Sequence, residues 1–212
     1  MKIAIFTNIC IDENKTEKSE YRGIGSPGLF LQAILKKFPE VESKIFSSTG
    51  KDFEEFRGIL DVYPEEPQYE KTLLNINHIV AKNRIRGSKN RDIAPPIIDD
   101  YIKKYLNESD IVILAPLLPN FSKEYVAEIF KHTKDDVIAV TAPQGYYRNF
   151  DENDIQIFRK FEEYEDILPF FDYSIVALDD HPNIEKDVKN WVTKTKVNGI
   201  INMAEDGAKL VT

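Results

Sequence analysis

Asp12 and Glu13 close an apolar run, Lys2 to Ile11 (KIAIFTNICI), and a glycine-rich stretch, Gly23-Ile24-Gly25-Ser26-Pro27-Gly28, opens the next, Leu29 to Leu35. A nearly continuous apolar run suits a strand buried on both faces of a parallel sheet. Acids just past its end lie on the edge where open α/β sheets bind ligands. An ionised carboxylate accepts strong hydrogen bonds from hydroxyls, and glycine lets a backbone come close to a ligand. Ser26 reads as an N-cap and Pro27 as the first helical residue, where a missing N–H costs nothing. An acid facing a glycine-rich helix N-terminus is a place to hold a polyol. The plainer roles are a turn capped by Asp12 and a tight bend at Gly25.

Two later stretches place polar groups at the same kind of edge. The strand-like run Asp136 to Thr141 opens into Ala142-Pro143-Gln144-Gly145-Tyr146-Tyr147-Arg148, and Tyr173 to Leu178 ends in Asp179-Asp180. Gln144 and Arg148 could reach a substrate or a phosphate, or simply meet solvent. Tyr146 and Tyr147 could face a sugar or fill core, and Asp180 could cap the helix that begins near Pro182.

Other chemistries find little support. With three histidines and one cysteine (Cys10), a zinc site or a disulfide framework is not expected, and a cytoplasmic setting is. A net charge of -8 argues against nucleic acid or anionic membrane as partner. No run is long enough for a membrane span. Gly23-x-Gly25-x-x-Gly28 matches the dinucleotide fingerprint by letter, but ten residues separate Asp12 from Gly23, where the fingerprint needs the strand to run straight into the glycine.

The elements that must position these groups alternate. Strands are expected at 41–47, 110–115, 136–141, 173–178 and 199–203, with a short helix over 51–56. Helical faces are read from Ile97 to Leu106, from Val126 to Phe130 behind a Ser122 cap, from Ile155 to Leu168, and from Ile184 to Val192. Such alternation means a mostly parallel, doubly wound sheet with helices on both faces. Residues 14–22 and 58–92 break the pattern, with a turn at Gly87-Ser88, and read as a small antiparallel β flap, a lid beside one domain spanning 1–212.

Asn8-Ile9-Cys10-Ile11-Asp12-Glu13 followed by Gly25-Ser26-Pro27-Gly28 resembles the opening of the ribokinase-like (PfkB) carbohydrate kinases. The likeness continues through Lys71-Thr72-Leu73, Asp110 to Leu118, Gln144-Gly145-x-x-Arg148, Ile175 to Asp180 and Glu205-Asp206-Gly207-Ala208, in the family's order. The resemblance implies transfer of the γ-phosphoryl of ATP, with Mg²⁺, to a hydroxyl of a sugar, nucleoside or cyclitol. It implies that Asp12, Gly25, Ser26, Gln144 and Arg148 bind substrate and that Thr72 lies in the lid. Asp179 and Asp180 would lie near nucleotide and metal. The lid is also a surface through which a homodimer could form.

The chain departs from the family in ways that bear on activity. Ser26 replaces the second glycine of the family's pair, and Asn202-Met203-Ala204 stands where Thr-x-Gly is usual. No Gly-Ala-Gly-Asp segment, which carries the family's catalytic Asp, occurs. No catalytic residue is therefore assigned, and 1–212 reads as the N-terminal two-thirds of such a kinase, ending inside a strand without its nucleotide-binding part and inactive alone. The alternatives are a non-catalytic member that binds a polyol or a partner, and an unrelated nucleotide-binding α/β protein.

Overall fold

The computed structural model describes residues 1–25, 27–80 and 83–212. Ser26, read as a helix cap and substrate contact, lies outside the described residues. The chain starts with β1 (Lys2–Thr7), crosses into a small sheet through β2 (Cys10–Thr16) and β3 (Glu20–Ile24), and returns by α1 (Gly28–Leu35) to β4 (Glu42–Phe46) and β5 (Val62–Tyr63). It revisits the small sheet with β6 (Leu73–Val80) and β7 (Asn83–Lys89). Alternation resumes with α2 (Asp100–Glu108), β8 (Ile111–Ala115), α3 (Lys123–Phe130) and β9 (Ile138–Thr141). A hairpin of β10 (Arg148–Phe150) and β11 (Gln156–Phe158) precedes α4 (Tyr164–Ile167), β12 (Tyr173–Ala177), α5 (Ile184–Thr195), β13 (Asn198–Asn202) and β14 (Ala208–Val211).

The main sheet runs β14-β13-β12-β9-β8-β1-β4-β5, parallel throughout except for the terminal hairpin β13–β14. One face buries Phe6, Val112, Leu114, Val176 and Ile201 in a core shared with Leu106, Val126 and Trp191 of the helices. The opposite face buries Ile3, Ile5 and Ile45 with Leu31 and Leu35 of α1 packed on them. On that second face Ile138, Tyr173, Ile175 and Leu210 are exposed. The expected doubly wound α/β architecture is present. Ser122 caps α3, its hydroxyl accepting from the Tyr125 N–H at 3.3 Å.

Several local expectations are corrected. The run Lys2–Ile11 is two strands, because Asn8 turns out of the sheet. Its Oδ1 accepts from the backbone N–H groups of Leu117 (2.9 Å) and Leu118 (3.1 Å). Beyond it β2 pairs with β6 instead of β8, so Asp12 lies in the small sheet. That sheet covers 10–24 and 73–89, in the order β3-β2-β6-β7, with antiparallel outer pairs and a parallel central pair. Residues 58–72, grouped with it from sequence, instead supply β5 to the main sheet's edge. Gly87-Ser88 is no turn but mid-strand, held by Ser88 N–H donating to the Asp154 carbonyl at 3.1 Å. The apolar spacing from Ile155 to Leu168 fits a helix, yet Ile155 and Phe158 are exposed on the β11 side and only the α4 turn is α-helical. Ile97 and Ile98 precede α2, which Asp99 caps.

Candidate functional site

In the main sheet β1 is flanked on one side by β4 and on the other by β8, so the order in which strands are added reverses between β1 and β8, which run parallel. A crevice opens at the C-terminal ends of strands around such a switch point. Here the small sheet stands over it and closes a cavity of about 170 Å³, lined by Asp12, Asn75, Asn77, Arg86, Gly87, Ser88, Leu117, Gln144, Arg148 and Gln156. Cross-strand register aligns the polar groups. Asp12 on β2 is opposite Asn75 on β6, and Asn75 is opposite Ser88 on β7, so all three share one face of the small sheet.

Hydrogen bonds fix this row. Asn75 Nδ2 donates to Asp12 Oδ1 at 3.1 Å and to Cys10 Sγ at 3.0 Å, while Ser88 Oγ donates to Asn75 Oδ1 at 2.8 Å. The Cys10 thiol points at Asp12 Oδ1 from 3.5 Å. Burial pushes its pKa well up, and the Asp12 charge adds to the shift, so it stays a neutral thiol that supports the carboxylate. Gly25 is required by this packing: a Cβ there would lie 2.3 Å from Cys10 Sγ and 2.5 Å from Asp12 Oδ1. Its N–H donates to the Cys10 carbonyl at 2.8 Å.

The floor comes from the loop after β9. Residues 143–147 form a 3₁₀ turn whose Gly145 passes so close to the 116–118 backbone that a Cβ would lie 2.8 Å from Leu118 N and O. This sets Gln144 and Arg148 beneath the cavity. Arg148, only 8% exposed, donates from Nη2 to Gln144 Oε1 at 2.6 Å and from Nη1 to the Leu117 carbonyl at 3.3 Å. Gln144 Nε2 in turn donates to Asp180 Oδ1 at 3.1 Å. Asp180 does not cap α5; its Oδ2 accepts from the Ala177 N–H at 2.9 Å.

Thus Asp12, Gln144 and Arg148 meet at one cavity, with Gly25 packed behind Asp12 and Asp180 one hydrogen bond further out. Thr72 is elsewhere. It is fully buried, accepting from the Gly50 N–H (2.9 Å) and donating to Asp52 Oδ1 (2.8 Å), and so ties the root of β6 to the main body. Asp179 is exposed on the turn after β12. Tyr146 and Tyr147 are core residues, stacked on Phe161 and Trp191 respectively. Sequence reasoning missed Asn75, Asn77, Arg86, Ser88 and Gln156. The signal for the first two was present in the alternation Asn75-Ile76-Asn77, which puts both amides on one strand face.

Among the described residues no three His, Cys, Asp or Glu side chains gather as a metal site, and both Asp180 oxygens already hold protein donors. No helix among them is long and apolar enough to cross a membrane.

No protein-family model matches the chain, and no curated protein matches it by sequence. Solved structures do match in fold. One is a pyrophosphate-dependent myo-inositol-1 kinase of the ribokinase type, converted into a myo-inositol-3 kinase by changing an asparagine and a serine to leucine; identity is 13%, coverage 99% of this chain and 73% of that one, and the TM-score 0.72. A nucleoside kinase from Burkholderia thailandensis, in complex with inosine, matches at 14% identity over 98% of this chain and 72% of that one, TM-score 0.58. A ribokinase from Thermotoga maritima matches at 16% over 99% and 74%, TM-score 0.64. The chain therefore has the fold of the ribokinase-family kinases, whose members with this likeness include sugar, nucleoside and cyclitol kinases.

Proposed function

We propose that this chain carries the acceptor-binding site of a ribokinase-like kinase, with the small sheet as its lid, and that it binds a small polyol. The observation that carries this is the cavity under the small sheet, where Asp12, Asn75, Asn77, Ser88, Gln144 and Arg148 converge and Leu117 is the one apolar lining residue. Hydroxyls are matched by such a lining; a nucleobase wants an apolar or aromatic wall to stack on. At about 170 Å³ the space also favours a cyclitol or monosaccharide over a nucleoside. The ribokinase-like resemblance implies ATP with Mg²⁺ as donor, whereas the inositol kinase of the same fold is pyrophosphate-dependent; the family's Gly-Ala-Gly-Asp segment does not occur in this sequence.

Asn77 and Ser88 are the residues we assign to telling one hydroxyl from another. They are eleven residues apart, the spacing of the asparagine and serine whose replacement changed the position phosphorylated in the inositol kinase. Calorimetric titration of the purified chain with myo-inositol, ribose, inosine and NAD tests the reading. We expect myo-inositol or ribose to bind, inosine and NAD not to, and Asp12→Ala to abolish binding. Asn77→Leu combined with Ser88→Leu is expected to reorder affinities among inositol stereoisomers. A chain that binds none of the polyols, or an Asp12→Ala variant that binds them equally well, would sink the proposal.

A further inference from the structure

One wall of the cavity comes from outside both larger sheets. The hairpin of β10 and β11 turns through residues 151–155, where Asp151 Oδ1 accepts from the N–H groups of Asn153 and Ile155, each at 2.9 Å. Asp154 completes the turn with φ of 62°, a left-handed conformation that Asp tolerates better than most residues. Turned this way, its carbonyl meets the Ser88 N–H at 3.1 Å on the outer edge of β7. Ile155 then bridges Gly87 as an antiparallel partner, so the edge of the small sheet is covered. Gly87 is what lets the hairpin come this close, since a Cβ there would lie 2.9 Å from the Asp154 carbonyl oxygen. Asp154 Oδ1 also holds Arg91 Nη2 at 2.5 Å, and the Arg91 guanidinium lies 4.4 Å from the centre of the Phe150 ring.

Gln156 follows this joint directly, opposite Phe150 in the hairpin, and lines the cavity. The other amides there are already engaged. Asn75 uses Nδ2 on Asp12 and Oδ1 on Ser88, and Gln144 uses Nε2 on Asp180 and Oε1 on Arg148. Asn77 Nδ2 donates to Asn14 Oδ1 at 3.1 Å. The Gln156 side chain makes no hydrogen bond among the described residues, so it presents both a donor and an acceptor to whatever enters. We propose that Gln156 reads a hydroxyl of the bound polyol and that Asp154 is its positioning residue, fixing the hairpin on β7. This rests on the polyol-binding reading and adds to Asn77 and Ser88 a determinant of specificity from outside the small sheet.

Calorimetric titration of the full chain with myo-inositol or ribose, whichever binds, and with its monodeoxy analogues tests this as a cycle with Gln156→Leu. That variant keeps the bulk of the side chain and loses its donor and acceptor. In wild type the analogue lacking the hydroxyl that meets Gln156 should bind about tenfold more weakly than its parent, the worth of one hydrogen bond. In Gln156→Leu the parent should weaken by a similar factor and that analogue should weaken no further. Asp154→Asn suits the left-handed turn but gives up the charge that holds Arg91, and it should shrink the parent-to-analogue ratio. Added to Gln156→Leu it should leave the ratio unchanged, whereas a merely structural role would lower the melting temperature and not touch the ratio. A Gln156→Leu chain that binds the parent as tightly as wild type, or that weakens the parent and every analogue alike, overturns the inference and leaves the polyol reading standing. A ratio untouched by Asp154→Asn overturns the positioning role. A wild-type chain that binds no polyol overturns both readings.

Discussion

Along β1 of the main sheet Ile3, Ala4, Ile5 and Phe6 are all buried, on both faces. Along β6 of the small sheet Asn75, Asn77 and His78 interrupt the apolar residues, and His78 is exposed. The main sheet carries the apolar core, and Asn8, Gln144 and Arg148 lie in the segments that follow β1 and β9 at its edge. The small sheet adds little core but sets a row of polar groups by register, Asp12-Asn75-Ser88, over that edge. If the cavity binds a polyol as proposed, stability and recognition are largely separable, and substitutions in the two sheets should fail in different ways.

The largest expected effect is in the main sheet. Phe6 is fully buried, its ring 5.0 Å from Phe46 and 6.4 Å from Tyr125. Phe6→Ala should lower unfolding free energy by about 3–5 kcal/mol, measured by urea denaturation. A loss under about 1 kcal/mol would mean that the main sheet is not the stabilising core.

Gly25→Ala probes the joint between the sheets. The added methyl would meet Cys10 Sγ and Asp12 Oδ1 at 2.3 and 2.5 Å, so Asp12 must move. Overpacking of this kind costs about 1–3 kcal/mol, less than the Phe6 change, yet polyol binding should disappear from a chain that is still folded by circular dichroism. Binding that survives would detach Asp12 from the ligand.

The main sheet was legible in the sequence because burial on both faces writes a continuous apolar run, as in Asp110-Ile111-Val112-Ile113-Leu114-Ala115, and five of its strands fall within two residues of the expected bounds. That Asp12, Gln144 and Arg148 line one cavity was anticipated because each follows such a run. What could not be read was pairing. Lys2–Ile11 gives no sign in its letters that Asn8 will bind the Leu117 and Leu118 amides and divide the strand. Likewise Ser88 and Arg86 join the cavity only through the register of β7 on β6; in sequence Gly87-Ser88 has the composition of a turn. Thr72 was misplaced for a similar reason, since its partners, Gly50 and Asp52, are remote in sequence.

The smallest effect we expect is a pH slope, and it concerns the core beneath Tyr147. His181 is buried, with the Phe158 ring 4.5 Å and the Tyr147 ring 5.3 Å away, and its Nε2 is 3.4 Å from Asp187 Oδ2. Burial holds its pKa below the usual imidazole range, against the opposing pull of Asp187 and Asp180. The unfolded chain takes up that proton near pH ~6.5, and the folded chain resists it, so stability falls as pH drops below that value and levels off once the folded imidazole titrates. The ion-paired carboxylates Glu108, Asp110, Glu128 and Glu165, whose pKa values are lowered, act at lower pH and leave this window clear. Denaturation midpoints at pH 7.5, 6.5 and 5.5 should therefore fall in wild type and change less in His181→Gln. A slope identical in the two would remove His181 as the source of the pH dependence and leave Tyr147 held by its Trp191 stacking alone.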